Sequence, residues 1–168
     1  MRLVLNGVVR QVNVKPSTPG ERGLPKRPVD TATVTREGVE GDFNIYRHEK
    51  LKDDPDSALL LMTTEKMVEL NSEGWPIKPG DLGENLTVSG IPYSSFVVGK
   101  TFAVGQVRLQ ISRKCDPCTN LYSLPYVGKS KGPEFLKIMM GRRGWYARVL
   151  EEGQVKPGDK ITEVKGDL

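Results

Sequence analysis

The chain contains two cysteines, three residues apart in Cys115-Asp116-Pro117-Cys118. Thiolate is the nucleophilic and metal-ligating form of cysteine, so this spacing admits a redox motif, a metal ligand or a sulfur carrier. Pro117 restricts the backbone ahead of Cys118, drives Asp116 towards an extended conformation and ends the preceding strand. Cys118 therefore stands at a strand end, and its sulfur is the candidate reactive atom. A thioredoxin-like reading fits less well, because such motifs open a helix in a βαβ unit whereas the flanking sequence reads as β. A buried, inert thiol is the alternative that composition leaves open.

The neighbourhood of Cys118 in sequence is strongly basic. Residues 1–107 carry 13 basic and 14 acidic groups, residues 108–148 nine and two, and residues 149–168 three and five, so the net charge of +4 conceals a local excess. Arg108, Arg113 and Lys114, with Lys129, Lys131, Arg142, Arg143 and Arg148 downstream, would favour a thiolate if they converged on it, and the segment suits an anionic ligand, phosphate above all. A solvated basic face is the plainer reading. Other chemistries fail on inventory. His48 is the sole histidine, which argues against a nucleophile triad and a structural zinc site, and no glycine-rich phosphate loop is present. Two cysteines this close cannot staple 168 residues, and no apolar run approaches a membrane span. A cytoplasmic protein is expected, with no membrane or nucleic-acid partner.

Short strands separated by glycines must position these residues. Strands are expected at 3–14, 29–36, 57–62, 85–89, 96–98, 101–104, 107–112, 145–150 and 160–164, with a long proline-rich surface loop at 15–28. A helix capped by Thr63 or Thr64 runs to Gly74, and a second lies within 132–141 with Pro133 in its first turn. The Lys-Pro-Gly-Asp sequences at 78–81 and 156–159 read as one kind of turn used twice. The pattern suggests a sandwich or barrel.

The order of the glycine motifs is also informative: Gly38-Val39-Glu40-Gly41-Asp42, then Pro79-Gly80-Asp81-Leu82-Gly83-Glu84-Asn85-Leu86-Thr87-Val88, then Pro117-Cys118, then Gly144-Trp145-Tyr146-Ala147-Arg148-Val149, then Gly158-Asp159. This series resembles the MOSC domain, named after the C-terminal domain of molybdenum cofactor sulfurases. It spans nearly the whole chain, as a single domain over residues 1–168. The resemblance implies a mainly β fold, a MOSC-type β-barrel with a few short helices. It also implies that Cys118 faces a pocket for the molybdenum cofactor. There the cysteine serves as thiolate ligand to molybdenum, in reduction of N-hydroxylated or similar small molecules, or carries sulfur as a persulfide for metal-sulfur cofactor assembly. Soft thiolate suits both roles. Asp42, Glu84 and Asn85 become candidates for the pocket wall, and Arg113 and Arg148 for the phosphate end of the pterin. An external electron donor or a cysteine desulfurase would be required, and pyridoxal phosphate enters only through that separate partner enzyme. A non-catalytic module that binds an anion or partner protein through residues 108–148 is the reading from another class. Two departures from the family stand out: arginine is frequent near the position of Cys115, and histidine near that of Asn44. The first makes Cys115 a candidate to resolve a persulfide or form a disulfide with Cys118.

Overall fold

The computed structural model describes residues 4–21 and 23–165. Strand β1 (Asn6–Val14) is followed, after the proline-rich loop, by β2 (Arg27–Val29), β3 (Ala32–Thr35) and β4 (Gly38–Val39). Helix α1 (Ile45–Lys50) leads into β5 (Leu59–Thr63), α2 (Thr64–Ser72) and β6 (Leu86–Ser89). Then come β7 (Thr101–Val104), β8 (Val107–Lys114), α3 (Gly128–Met139), β9 (Trp145–Glu151), β10 (Gly153–Val155) and β11 (Lys160–Val164). Seven strands close a barrel in the order β1, β11, β7, β8, β9, β5, β6 and back to β1. Strand β2 pairs with β1 outside the ring, and β10, β3 and β4 form a small separate sheet. Within the ring only β5 and β6 are parallel, and α2 supplies the crossover that a parallel pair needs. The fold is thus mainly β, with three short α-helices among the described residues.

The run Leu59-Leu60-Leu61-Met62 shows how one strand serves several cores. Side chains alternate across a strand. Leu59 and Leu61 point into the barrel with Val9, Phe102, Leu109 and Ile161. Met62, on the opposite face, joins Met67, Leu70, Trp75 and Phe135 in a second core beneath α2 and α3. Leu60, on that same outer face, packs with Cys115 and Tyr146. A strand buried on both faces therefore lacks a polar alternation, as its sequence does.

The two Lys-Pro-Gly-Asp turns are alike in structure. Asp81 accepts from the Lys78 amide at 3.0 Å and Asp159 from the Lys156 amide at 2.9 Å, with Gly80 and Gly158 at φ of 92° and 93°. Thr63 caps α2 by accepting from the Lys66 amide at 3.1 Å.

Several expected elements differ. Residues 96–98 form no strand: Phe96 is buried against Phe102, whereas Val97 and Val98 are exposed on a turn closed by the Lys100 amide. Expected strand 29–36 is divided among short pieces. Helix α3 begins at Gly128, so Pro133 lies inside it, and Gly132 is required because the Tyr122 ring occupies the place of a Cβ. Helix α1 and strand β10 were not anticipated. None of α1's residues is buried, so it carries no apolar periodicity. Strand β8 continues to Lys114, since Arg113 and Lys114 pair with Tyr146 and Trp145 beyond a bulge. No helix of the described residues is long and apolar enough to cross a membrane.

Candidate functional site

The bulge in β8 re-aims the strand as it leaves the barrel. Cys115 remains anchored, its amide donating to the Gly144 carbonyl at 2.9 Å, and its side chain is 1% exposed. Gly144 is also held close against β5. With φ at +112°, it has Leu61 O only 2.5 Å from where a Cβ would stand. Burial pushes the Cys115 thiol pKa up, against the opposing pull of Arg143 and the Tyr146 phenol. Three residues on, Cys118 is partly exposed and heads a 3-10 turn, its carbonyl accepting from the Leu121 amide at 3.1 Å.

The residue that organises this corner is Arg143, which is 5% exposed. Its Nη1 donates to Cys118 Sγ and to Asp116 O, both at 3.1 Å, while Nε and Nη2 donate to Leu82 O at 3.3 Å. Burial by itself would weaken the guanidinium's hold on its proton. The two cysteine sulfurs outweigh that effect and keep its pKa above the ordinary range. A charged donor clamped by two carbonyls thus fixes the position of the Cys118 sulfur.

A narrow crevice reaches Arg143 between residues 23–26 and 43–46, with Gly83 and Asn120 on its walls. Across Asn44 lies a polar cavity of about 220 Å³ bounded by Asp42, Arg47, Ser57, Leu60 and Asn85. Arg47 donates to the carbonyls of Glu37, Asp53 and Asp54 at 2.8, 3.0 and 3.1 Å, and burial lowers its pKa. Its hydrogen-bond partners are all carbonyls.

The family model described as the MOSC domain matches residues 48–162. The chain belongs to the MOSC domain family. YflK of Bacillus subtilis, described as uncharacterized, is 33% identical over 150 residues, covering 84% of this chain and 62% of YflK. A Gibberella moniliformis protein named reductase is 35% identical over 86 residues, 49% of this chain but 14% of that protein. The chain thus spans less than two thirds of either relative. Among solved structures, the YuaD protein of Bacillus subtilis superposes with a TM-score of 0.79 at 19% identity, over 98% of this chain and all of that one. YiiM of Geobacillus stearothermophilus gives 0.71 at 25% identity, over 95% of this chain and 75% of its own.

Within this MOSC barrel the residues singled out from sequence fall in three places. Asp42 and Asn85 are neighbours in a buried network. Asp42 binds Lys26 Nζ at 2.5 Å and the Lys15 amide at 3.0 Å. Asn85 donates to Asp42 at 2.9 Å and to Asn13 O at 3.2 Å, and accepts from the Leu60 amide at 3.1 Å. Both side chains are largely committed to the protein, although both border the polar cavity. Glu84 is fully buried beneath them. Its Oε2 accepts from the Thr87 hydroxyl at 2.8 Å, Oε1 has no hydrogen-bond partner, and burial pushes its pKa up to about 7.

Arg113 and Arg148 are not brought to Cys118. Arg113 donates to Ser57 at 2.8 Å and stacks on Tyr146, while Arg148 binds Asp56 at 2.8 Å and Gln110 at 2.6 Å. Other cations of the basic segment are likewise engaged, Arg142 with Glu69 and Glu73 and Arg108 with Glu151. The cation that reaches the sulfur is Arg143. Sequence offered Arg142-Arg143 before Gly144 as a pair, with no signal for which one turns inward. His48 pairs with Asp53 at 2.9 Å on the exposed side of α1.

Removing Asn85 tests the network. Asn85→Ala leaves the Leu60 amide without its side-chain acceptor and removes one of the three donors to Asp42, at an expected cost of about 2 kcal/mol. Urea denaturation of variant and wild type measures it, and a loss below about 0.5 kcal/mol would refute the accounting.

Proposed function

We propose that this MOSC domain binds a molybdopterin-type cofactor with Cys118 as its protein ligand to molybdenum, and reduces N-hydroxylated or similar small molecules. The observation that carries the reading is the partly exposed Cys118 sulfur held 3.1 Å from the buried Arg143 guanidinium at the crevice end. The donor set fits such a group. No cluster of three or more His, Cys, Asp or Glu suited to a metal exists among the described residues. A metal that brings its own sulfur ligands needs only one soft thiolate from the protein. When bound, the cofactor supplies a metal centre able to accept an oxygen atom from a substrate.

The chain's own residues position and neutralise. Arg143 holds the sulfur in place and offsets negative charge beside it. Arg47, with carbonyl partners alone and a place in the polar cavity, suits a phosphate; Asn44 and Ser57 offer polar partners for a pterin edge. Electrons come from an external donor. The name of the Gibberella relative, reductase, agrees with this reading. An accessible sulfur beside a cation also suits a second reading, persulfide carriage, in which a separate pyridoxal-phosphate desulfurase loads Cys118.

Expression in a host that makes the cofactor, followed by metal and pterin analysis, tests the first reading. Wild type is expected to retain both, and Cys118→Ala at least ten-fold less molybdenum. Wild type free of both would overturn it. If the chain then gained a persulfide on Cys118 from a cysteine desulfurase and cysteine, sulfur carriage would replace it.

A further inference from the structure

Nothing in that reading uses Cys115, yet its placement is not that of an inert core thiol. Its Sγ lies 3.7 Å from Asp116 O, the same carbonyl that accepts from Arg143 Nη1 at 3.1 Å. That same Nη1 donates to Cys118 Sγ at 3.1 Å. One guanidinium nitrogen and one carbonyl therefore link the two sulfurs, with only Asp116 and Pro117 between them in the chain. The two differ in access. Cys118 is partly exposed, while Cys115 is buried against Leu60 and Tyr146.

We infer that Cys115 is the resolving thiol of a peroxide-responsive pair, closing a reversible Cys115–Cys118 disulfide after Cys118 is oxidised. A small peroxide reaches the outer sulfur first. Cys118 attacks one peroxide oxygen; the S–O bond forms as the O–O bond breaks, the sulfur loses two electrons, and the other oxygen leaves as water with the proton of the Cys118 thiol. Cys115 then attacks the Cys118 sulfenic acid. The S–S bond forms, the S–O bond breaks, and the hydroxyl leaves as water with the Cys115 thiol proton. The two thiols and one hydrogen peroxide thus give one disulfide and two waters. A dithiol reverses the step by thiol–disulfide exchange, taking up the two electrons' deficit as its own disulfide. Arg143 sits at the junction and favours attack by stabilising negative charge on either sulfur as it develops. Burial shields Cys115 from direct oxidation, so the outer sulfur reacts first. In the proposed cofactor role, which this consequence rests on, the disulfide would withdraw the metal's thiolate ligand and leave the chain inactive until reduced.

Mass spectrometry of the full chain decides the matter. Reduced protein, its molybdenum content recorded, is treated with hydrogen peroxide in small excess and its remaining thiols are alkylated. Wild type is expected to lose both thiols together, with a Cys115–Cys118 cross-linked peptide that dithiothreitol reopens. In Cys115→Ala, and in Cys115→Ser as a second variant checked for folding by circular dichroism, Cys118 should carry at least ten-fold more dimedone-reactive sulfenic acid or sulfinic acid. Oxidation of wild-type Cys118 to sulfinic acid while Cys115 stays alkylatable would overturn the proposal. So would product distributions in both variants equal to wild type. The readout is thiol chemistry and needs no molybdenum. A chain without cofactor that still forms the disulfide refutes the cofactor reading alone, and a cofactor-loaded chain that, stripped of metal, cannot form it refutes the pair alone.

Discussion

Arg143→Met is expected to destabilise the domain by about 4 kcal/mol and to lower its urea midpoint by about 2 M, taking a denaturant slope of about 2 kcal/mol/M. Methionine fills much of the same volume, so the loss falls on polar partners. Leu82 O accepts two of the guanidinium's bonds and Asp116 O a third, in a place where Arg143 itself is 5% exposed. Each carbonyl left unpaired in such a place costs about 1–3 kcal/mol. Leu82 belongs to the segment before β6 and Asp116 to the segment after β8, so the side chain ties together two loops that β-sheet bonding does not join. Arg143→Lys should recover less than half of the loss, because an ammonium lacks the fork that spans Leu82 O, Asp116 O and Cys118 Sγ at once. A loss below about 1 kcal/mol in Arg143→Met would show that water satisfies those carbonyls and that the clamp is not structural.

The same residue marks the boundary of what sequence could reveal. Barrel strands were legible because they are short, β-branched and punctuated by glycine, and the ordered glycine motifs identified the family. Strand β5 was legible as a continuous apolar run, and its two burial faces explain why it does not alternate. Contacts between distant loops were not legible. Basic residues dense in 108–148 suggested convergence on Cys118, but a strand sends alternate side chains to opposite faces, so Arg113 and Arg148 went to Ser57 and Asp56. Arg143 escapes that alternation because it precedes β9, at a turn whose Gly144 has positive φ. Likewise the Gly-Glu-Asn motif was visible, whereas the depth at which its carboxyl lies was not. Polar residue types announce an interaction without saying whether the partner is ligand or protein.

That depth makes Glu84 the source of a pH effect opposite to the usual one for a carboxylate. Its folded pKa is raised from an ordinary 4.5 to about 7, chiefly because burial disfavours the charged form, with Asp81 adding to it and the Thr87 hydroxyl opposing it. Below the unfolded value both states bind the proton and the folded state carries no penalty. As pH climbs from 4.5 through 7 the unfolded chain releases the proton first, and this group's contribution to stability is lost. At 1.36 kcal/mol per pKa unit, the loss is about 3 kcal/mol by pH 8. Glu21, Asp56, Glu69 and Glu73 have lowered values and act in the opposite sense, but they lie near the surface beside Lys15, Arg148, Lys66 and Arg142, where solvent weakens such pairs. Comparing Glu84→Gln with wild type cancels them. The amide keeps the shape and an acceptor for Thr87 yet cannot ionise, so the variant should gain about 2.5 kcal/mol on wild type between pH 5 and pH 8 in paired urea titrations. A constant gap across that range would mean that the Glu84 carboxyl ionises in the folded barrel as readily as in the unfolded chain, water reaching it despite its burial. Because Gly83 and Asn85 border the crevice and the polar cavity, the charge that appears on Glu84 above pH 7 strains the loop that walls the candidate site. The same titration should therefore be visible in the site's ligand affinity, as weaker binding above pH 7 in wild type and none of that dependence in Glu84→Gln.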